Sequence, residues 1–261
     1  MRNVDYIIVG DGYAALFFAH QLLLNNKSFV IFSEGKKSAS QISAGIINPV
    51  VLKKFTTFWL AQEQIDFLKK SLKEIESYTG HNYLIESPIH RIFHDENEQK
   101  LWLKKSDNDE LRNFLDKNFD HLNGVKNDFQ TGKVNQSARL NVKEFFEGIL
   151  SYLQNKGNLI KEKFAYSLID TSNSTYKDFS FKNILFSEGM GVKENPYFSD
   201  IAVNPNKGHH IRVKLSESIP KDITIKKKHF LFPWMIISIF MAERTTVNNF
   251  ITKLTILQSH S

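Results

Sequence analysis

The sequence predicts an α/β protein built on a parallel βαβ unit, with an α+β region inserted into it. Three features point there. A glycine fingerprint stands between a β-branched run and a helical run at the N-terminus. A loop of small residues follows directly, and a return strand ending in a glycine lies late in the chain.

The first feature is "VDYIIVGDGYAALFFAHQLLLNNKSFVIFSEG". Tyr6 to Val9 form a short apolar run of the kind buried on both faces in a parallel sheet. Gly10-Asp11-Gly12-Tyr13-Ala14-Ala15 then gives a G-x-G-x-x-A fingerprint. Leu16 to Leu24 have helical spacing, Asn25-Asn26 end that helix, and Ser28 to Phe32 predict a second strand. This strand–turn–helix–strand context is what the motif requires. Gly10 permits the tight turn, Gly12 lets backbone approach a pyrophosphate, and Ala15 is small enough for helix to pack on strand. Tyr13 and Ala14 complete the first turn, whose free N–H groups and partial positive charge suit phosphate. An acid at the end of the second strand should hold ribose hydroxyls; Ser33 and Glu34 both stand near that place.

The fingerprint alone leaves NAD and FAD open. The second feature, "SASQISAGIINPV" (residues 38–50), is rich in small and hydroxyl side chains that could close over a pyrophosphate and ribityl chain. Here the sequence resembles the FAD-dependent oxidoreductases of the D-amino-acid oxidase and glycine oxidase type. Their flavin-lining segment, of the form S-x-x-A-A-G-x-x-x-P, is matched by Ser40, Ser43, Ala44, Gly45, Asn48 and Pro49. The family usually carries its ribose-binding acid where this chain has Ser33, so Glu34 stands one place late.

Residues 50–125 read as mainly helical, with "FWLAQEQIDFLKKSLKEIESYTG" (58–80) the clearest amphipathic helix. Its stripe of Leu60, Ile65, Phe67, Leu68, Leu72 and Ile75 is expected in the core. His81, His90 and His94 lack a nearby Cys or an HExxH pattern, so they are expected to be hydrogen-bonded or solvated histidines, with no metal. The charged stretch 95–128 predicts exposed helices and loops. From Gly132 a short strand pair leads to a helix, Val142–Asn155, capped by Asn141 and ended by Gly157, and then to a strand toward Phe164.

The third feature is "FKNILFSEGMGVKENPYFSDIAVNPNKGHHIRVKL" (181–215). By resemblance, Asn183 to Ser187 form the buried strand that returns to the FAD domain, and Gly189 is the close-approach glycine beneath the cofactor. "NPYF" and "NKG" (195–198 and 206–208) resemble the connection into the substrate-domain sheet, although His209 stands where the family usually has an acid.

Composition narrows the partners. The chain has no cysteine, which excludes disulfides, thiolate metal sites and a cysteine nucleophile. No signal-peptide core follows the single N-terminal Arg, and the longest apolar run, residues 230–242, is short of the roughly 18–20 residues needed to span a bilayer. A soluble, cytoplasmic protein with neither membrane nor nucleic-acid partner is expected. Of the net +6, residues 223–261 contribute +4, so the body of the chain is nearly neutral.

That basic, glycine-free tail departs from the family at a definite point. "K-x-x-F-x-x-P" is present as Lys227, Phe230 and Pro233, but the family's continuation, x-D-D-x-x-Y-x-G-x-T-Y, is not. Trp and Met have single codons, so reading from the third base of each codon fixes several residues. Trp234/Met235 and Met235/Ile236 both yield Asp, Phe240/Met241 yields Tyr or His, and Met241/Ala242 yields Gly. The shifted frame permits "PLDD…YGGTY". Residues 234–261 are therefore expected to be an out-of-frame tail replacing a longer C-terminal part.

The resemblance thus implies a Rossmann-like, glutathione-reductase-like FAD-binding domain (residues 1–50 and 140–205) with an inserted, incomplete substrate domain (51–139 and 206–233). It implies hydride transfer from an amine or amino-acid C–N bond to flavin. No side chain stands out as a general base. A non-catalytic truncated product and an NAD(P)-binding Rossmann protein are the alternatives.

Overall fold

The computed structural model describes residues 1–204, 209–214, 219–232, 237–241 and 255–256. "NKG" and Pro233 lie outside the described residues. The chain divides into two compact units: residues 1–43, 71–83 and 141–206, and residues 44–70, 84–140 and 207–261. Relative to the division expected from sequence, 44–50 fall in the second unit and 71–83 in the first.

The first unit is organised by strand β1 (Arg2–Val9), helix α1 (Tyr13–Leu24) and strand β2 (Phe29–Ser33). Among the described residues its sheet has six strands, ordered 159–161, β2, β1, 179–186, 175–176, 169–170. The pairings of 159–161 with β2, β2 with β1, and β1 with 179–186 are all parallel. All five residues of β2 are buried, as are Ile7 to Val9, which explains their continuous apolar and β-branched character. Asp5 fastens the amino ends together: its carboxylate accepts from the Ser28 N–H at 2.9 Å and from Lys182 Nζ at 2.6 Å. Hydrogen bonds from Lys182 and then Ser28 hold that carboxyl far below the usual carboxylate range.

The return strand is longer and less buried than expected. It runs Phe179–Phe186, and Lys182 and Asn183 are exposed where they pass Asp5. The 142–155 helix has the limits read from sequence. Asn141 accepts from the Glu144 N–H at 3.4 Å, and Gly157 follows with φ +71°. Its buried Phe145 and Phe146 pack beside the Tyr13 ring. His20 on α1 is buried and bonds Glu74 at 3.0 Å and Tyr78 at 3.3 Å, both in helix α2 (Ala61–Thr79).

The second unit contains a mixed sheet of eight strands among the described residues, ordered 255–256, 209–214, 237–241, 230–232, 224–226, 89–92, 131–134, 115–120. Smaller antiparallel sheets join 46–47, 138–140 and 84–85, and 50–51 with 56–57. Its core gathers Val50, Phe55, Ile65, Ile89, Phe93, Trp102, Phe114 and Val134. The expectation of a mainly helical 50–125 is corrected here. Only α2 and the Glu96–Ser106 α-helix are helical among these described residues, and Leu115–Asp120 is a strand. That strand pairs with Thr131–Val134 and carries Lys, Asn and Asp toward solvent, so its sequence hides its state. The "exposed" 95–128 stretch in fact buries Trp102, whose indole N–H donates to the Asp116 carbonyl at 2.7 Å.

The predicted stripe of α2 is also corrected. Ile65, Leu72 and Ile75 are buried, but Leu60 and Phe67 are exposed. Leu60 precedes the helix with φ +47°. Phe67 lies two residues past Ile65, about 200° around a helix that turns roughly 100° per residue.

The histidines are held by hydrogen bonds: His81 to Glu144, His90 to Thr131 at 3.2 Å, and His94 to Glu98 at 2.8 Å. Among the described residues no helix is long and apolar enough to cross a membrane.

Candidate dinucleotide site

Parallel pairing puts the carboxyl ends of β1, β2, 159–161 and 179–186 on one side of the sheet. The chain steps outward from β1 through β2 to 159–161, then returns to the opposite side of β1 as 179–186. Open α/β sheets bind ligands at this reversal, beyond the strand ends.

Gly10 stands at that point with φ +106°, a conformation that glycine adopts without strain. Its N–H donates to the Phe32 carbonyl at 2.9 Å, while the Ser187 N–H donates to the Val9 carbonyl at 2.8 Å. A Cβ on Gly10 would lie 2.4 Å from the Ser187 carbonyl oxygen. The close approach is therefore between two backbone segments of the site, and Gly10 makes it. Gly189, expected to lie close beneath a cofactor, has φ +56° and no protein atom within 4 Å of where a Cβ would stand. What the chain demands of it is the left-handed backbone.

Gly12 is the residue before α1 and has no side chain with which to cap it. The first-turn N–H groups of Ala14 and Ala15 are thus left for an anion. Ala15 is fully buried and lets α1 lie close on the sheet. Ser40 stands over this end: its Oγ would be 3.1 Å from a Cβ at Gly12, and it accepts from the Tyr13 N–H at 3.4 Å. The Tyr13 hydroxyl shares a 2.9 Å hydrogen bond with Ser43. Burial pushes the Tyr13 phenol up, so it stays neutral. Tyr13 thereby ties the 38–43 loop to the head of α1.

Ser33 ends β2, buried, with its Oγ donating to Asp11 Oδ2 at 2.7 Å and accepting from the Gly35 N–H at 3.0 Å. Glu34 bonds Lys36, has Lys163 at 3.9 Å, and is held below the ordinary carboxylate range, chiefly by the Lys36 bond. Ala44, Gly45 and Asn48 belong to the second unit. There the Gly45 carbonyl accepts from the Leu140 N–H at 2.7 Å. Asn48 closes a local turn, bonding both the N–H and the carbonyl of Val50.

Two features escaped the sequence reading. Asp11 was only the variable residue inside the fingerprint, yet it is buried against Ser33. Its signal was an acid where any small residue suffices. After the return strand, Glu188 accepts from the Tyr166 hydroxyl and from Asn195 Nδ2 at 2.8 Å, and Asn195 is fully buried. Burial and that Glu188 bond push the Tyr166 phenol up. The pair secures the turn that carries Gly189, and "NPYF" supplies its buried asparagine.

No protein-family model matches the chain. Solved structures do. It is similar to glycine oxidase from Geobacillus kaustophilus, at TM-score 0.70 and 14% identity over 95% of this chain and 74% of that one. Iminodiacetate oxidase from a Chelativorans species matches at TM-score 0.65 and 11% identity, over 96% and 74%. L-Amino acid deaminase from Proteus vulgaris matches at 0.65 and 12%, over 92% of this chain but 61% of its own. The shared fold is that of the glycine oxidase type expected from the motifs.

Proposed function

We propose that this chain belongs to an FAD-dependent oxidoreductase that oxidises the C–N bond of an amine or amino acid. The observation that carries the proposal is the head of α1, with glycine at 12, serine hydroxyls above it and the strand reversal beside it. The likeness to glycine oxidase, iminodiacetate oxidase and an amino-acid deaminase supports the substrate class, since each named substrate carries an amine next to a carboxylate-bearing carbon.

The residues present fit the group. Ala14 and Ala15 N–H groups would receive the pyrophosphate, Ser40 and Ser43 would close over it, and Gly10 and Gly189 would allow the neighbouring turns. Bound FAD would supply the acceptor for hydride from the amine-bearing carbon. The protein's share is to orient that carbon and keep water away. The partner expected is a small amine or amino acid, with neither nucleic acid nor membrane, in the cytoplasm.

A second reading concerns the tail. The codon arithmetic favours residues 234–261 being read in a shifted frame, so that activity belongs to the frame-restored parent. One measurement separates the readings: the visible spectrum of the purified protein after FAD is added and the sample desalted. Retained flavin bands that bleach anaerobically with glycine or another amino acid support the enzyme. Bands that neither persist nor bleach here, but do both once the frame is restored after Pro233, support the tail reading. Their absence from both proteins overturns the FAD assignment.

A further inference from the structure

We infer that the ribose-binding acid of this site is Asp11, within the fingerprint, and that Glu34 has no part in it. The inference rests on the dinucleotide reading above and assigns its sugar contact.

A dinucleotide site of this kind needs a carboxylate at the end of β2 to accept from the ribose hydroxyls. Position 33 is that end, and it is a serine. A serine hydroxyl has one proton, and here that proton goes to Asp11 Oδ2 at 2.7 Å. The same oxygen accepts from the Gly35 N–H at 3.0 Å, so Ser33 is occupied on both counts. It serves as a bracket that orients the neighbouring acid.

Asp11 is 8% exposed, and its carboxylate lies between the ends of β1 and β2. Ser33 is its only side-chain partner among the described residues, and it engages Oδ2 alone. The carboxylate has about four acceptor sites, so Oδ1 and a second lone pair on Oδ2 remain. A vicinal diol presents two donors at a spacing that such a carboxylate takes in bidentate fashion. Among the described residues no cation pairs with Asp11, and a polar ligand could fill its remaining acceptor sites. Hydroxyls beside the pyrophosphate would do so.

Glu34 is differently placed. It follows the strand end and is neutralised by Lys36, with Lys163 beside it. Glu34 is exposed and turned to these lysines at the surface, whereas Asp11 is buried between the strand ends. The carboxylate of the site has thus moved from the end of β2 across to the loop after β1, where Ser33 fixes it. A 2′-phosphate at the same place would meet the negative charge of Asp11, so the site should refuse 2′-phosphorylated nucleotides.

The test uses the full chain and three probes, ADP, 2′-deoxy-ADP and 2′-phospho-ADP, titrated by calorimetry into wild type, Asp11→Asn, Ser33→Ala and Glu34→Gln. Wild type should bind ADP about tenfold more tightly than 2′-deoxy-ADP, and refuse 2′-phospho-ADP. Asp11→Asn should abolish most of that ratio and relax the refusal, while Glu34→Gln leaves both unchanged. Ser33→Ala keeps the carboxylate but frees it to rotate, and should lower the ratio several-fold in the same direction. This second variant decides the matter if Asp11→Asn does not fold. A ratio that collapses in Glu34→Gln, or that survives Asp11→Asn or Ser33→Ala, overturns the assignment. Flavin uptake is read separately: wild type that retains FAD with an unchanged ratio in the variants sinks only the assignment. Wild type that discriminates ADP from its deoxy form yet never takes flavin sinks only the FAD reading.

Discussion

Gly10 and Ser187 meet backbone to backbone: a single carbon added to the first would lie 2.4 Å from the carbonyl oxygen of the second. Nothing at that contact is a flexible side chain that could swing aside. The two segments are also locked in place by the Ser187 N–H bond to Val9 and the Gly10 N–H bond to Phe32. Gly10→Ala therefore combines a strained left-handed backbone with an unavoidable clash. We expect a loss of about 3 kcal/mol or more, measured by urea unfolding, together with loss of nucleotide binding. An alanine variant that unfolds at the wild-type urea midpoint would contradict this packing.

Gly132 makes a parallel case in the second unit. A Cβ there would come within 2.7 Å of both the Phe93 and Trp102 rings. Gly132→Ala should cost about 1–3 kcal/mol by overpacking. The near-ultraviolet signal of Trp102 should change while nucleotide affinity does not, and that split is the check.

Glu98 should govern part of the acid response. Arg91 donates to its Oε1 through Nε at 3.1 Å and Nη2 at 2.7 Å, and also reaches the Lys227 carbonyl. Burial pushes the Glu98 carboxyl up, but the bonds from Arg91 and His94 outweigh it and hold the group below its ordinary range. A depressed folded pKa stabilises above the unfolded value, near 4.3, and that contribution is lost as pH falls through the folded pKa. Glu98→Gln should cost about 3 kcal/mol at pH 7, since it leaves a buried guanidinium without its counter-charge. Its deficit relative to wild type should shrink below about pH 4. A deficit that is constant from pH 7 to pH 3 would show that charge is not the cause.

Asn141→Ala should remove the cap of the 142–155 helix and cost about 1 kcal/mol, whereas Asn141→Asp should preserve stability. Thermal unfolding of the two variants side by side distinguishes a cap from a generic surface position.

How much of this was legible beforehand follows from what each residue has to satisfy. The limits of the 142–155 helix were readable because Asn141 and Gly157 act on neighbours a few positions away. The order β1, α1, β2 was readable because the fingerprint and the apolar runs are local too. The strand at 115–120 was not, since its Lys, Asn and Asp reflect a solvent-facing face and an irregularity between Leu115 and Phe119 breaks its register. Phe67 misled because an apolar residue next to a buried stripe need not lie on it. The Asp11–Ser33 bond joins two positions whose meaning appears only together: an acid within the fingerprint and a hydroxyl where the acid was expected.

The parallel pairing of β1 has a consequence for synthesis. Its partner strand begins at Phe179, and Asn3 faces Ser180 across 177 positions of chain. Closing so long a loop before the contact is rewarded makes such pairing slow. During translation β1 and β2 leave the ribosome long before the strand that covers their open side. The nascent N-terminus therefore presents an unpaired, strongly apolar edge at Ile7 to Val9 for most of the elongation time. The protein's yield in cells should depend on what shields that edge until residue 186 has emerged.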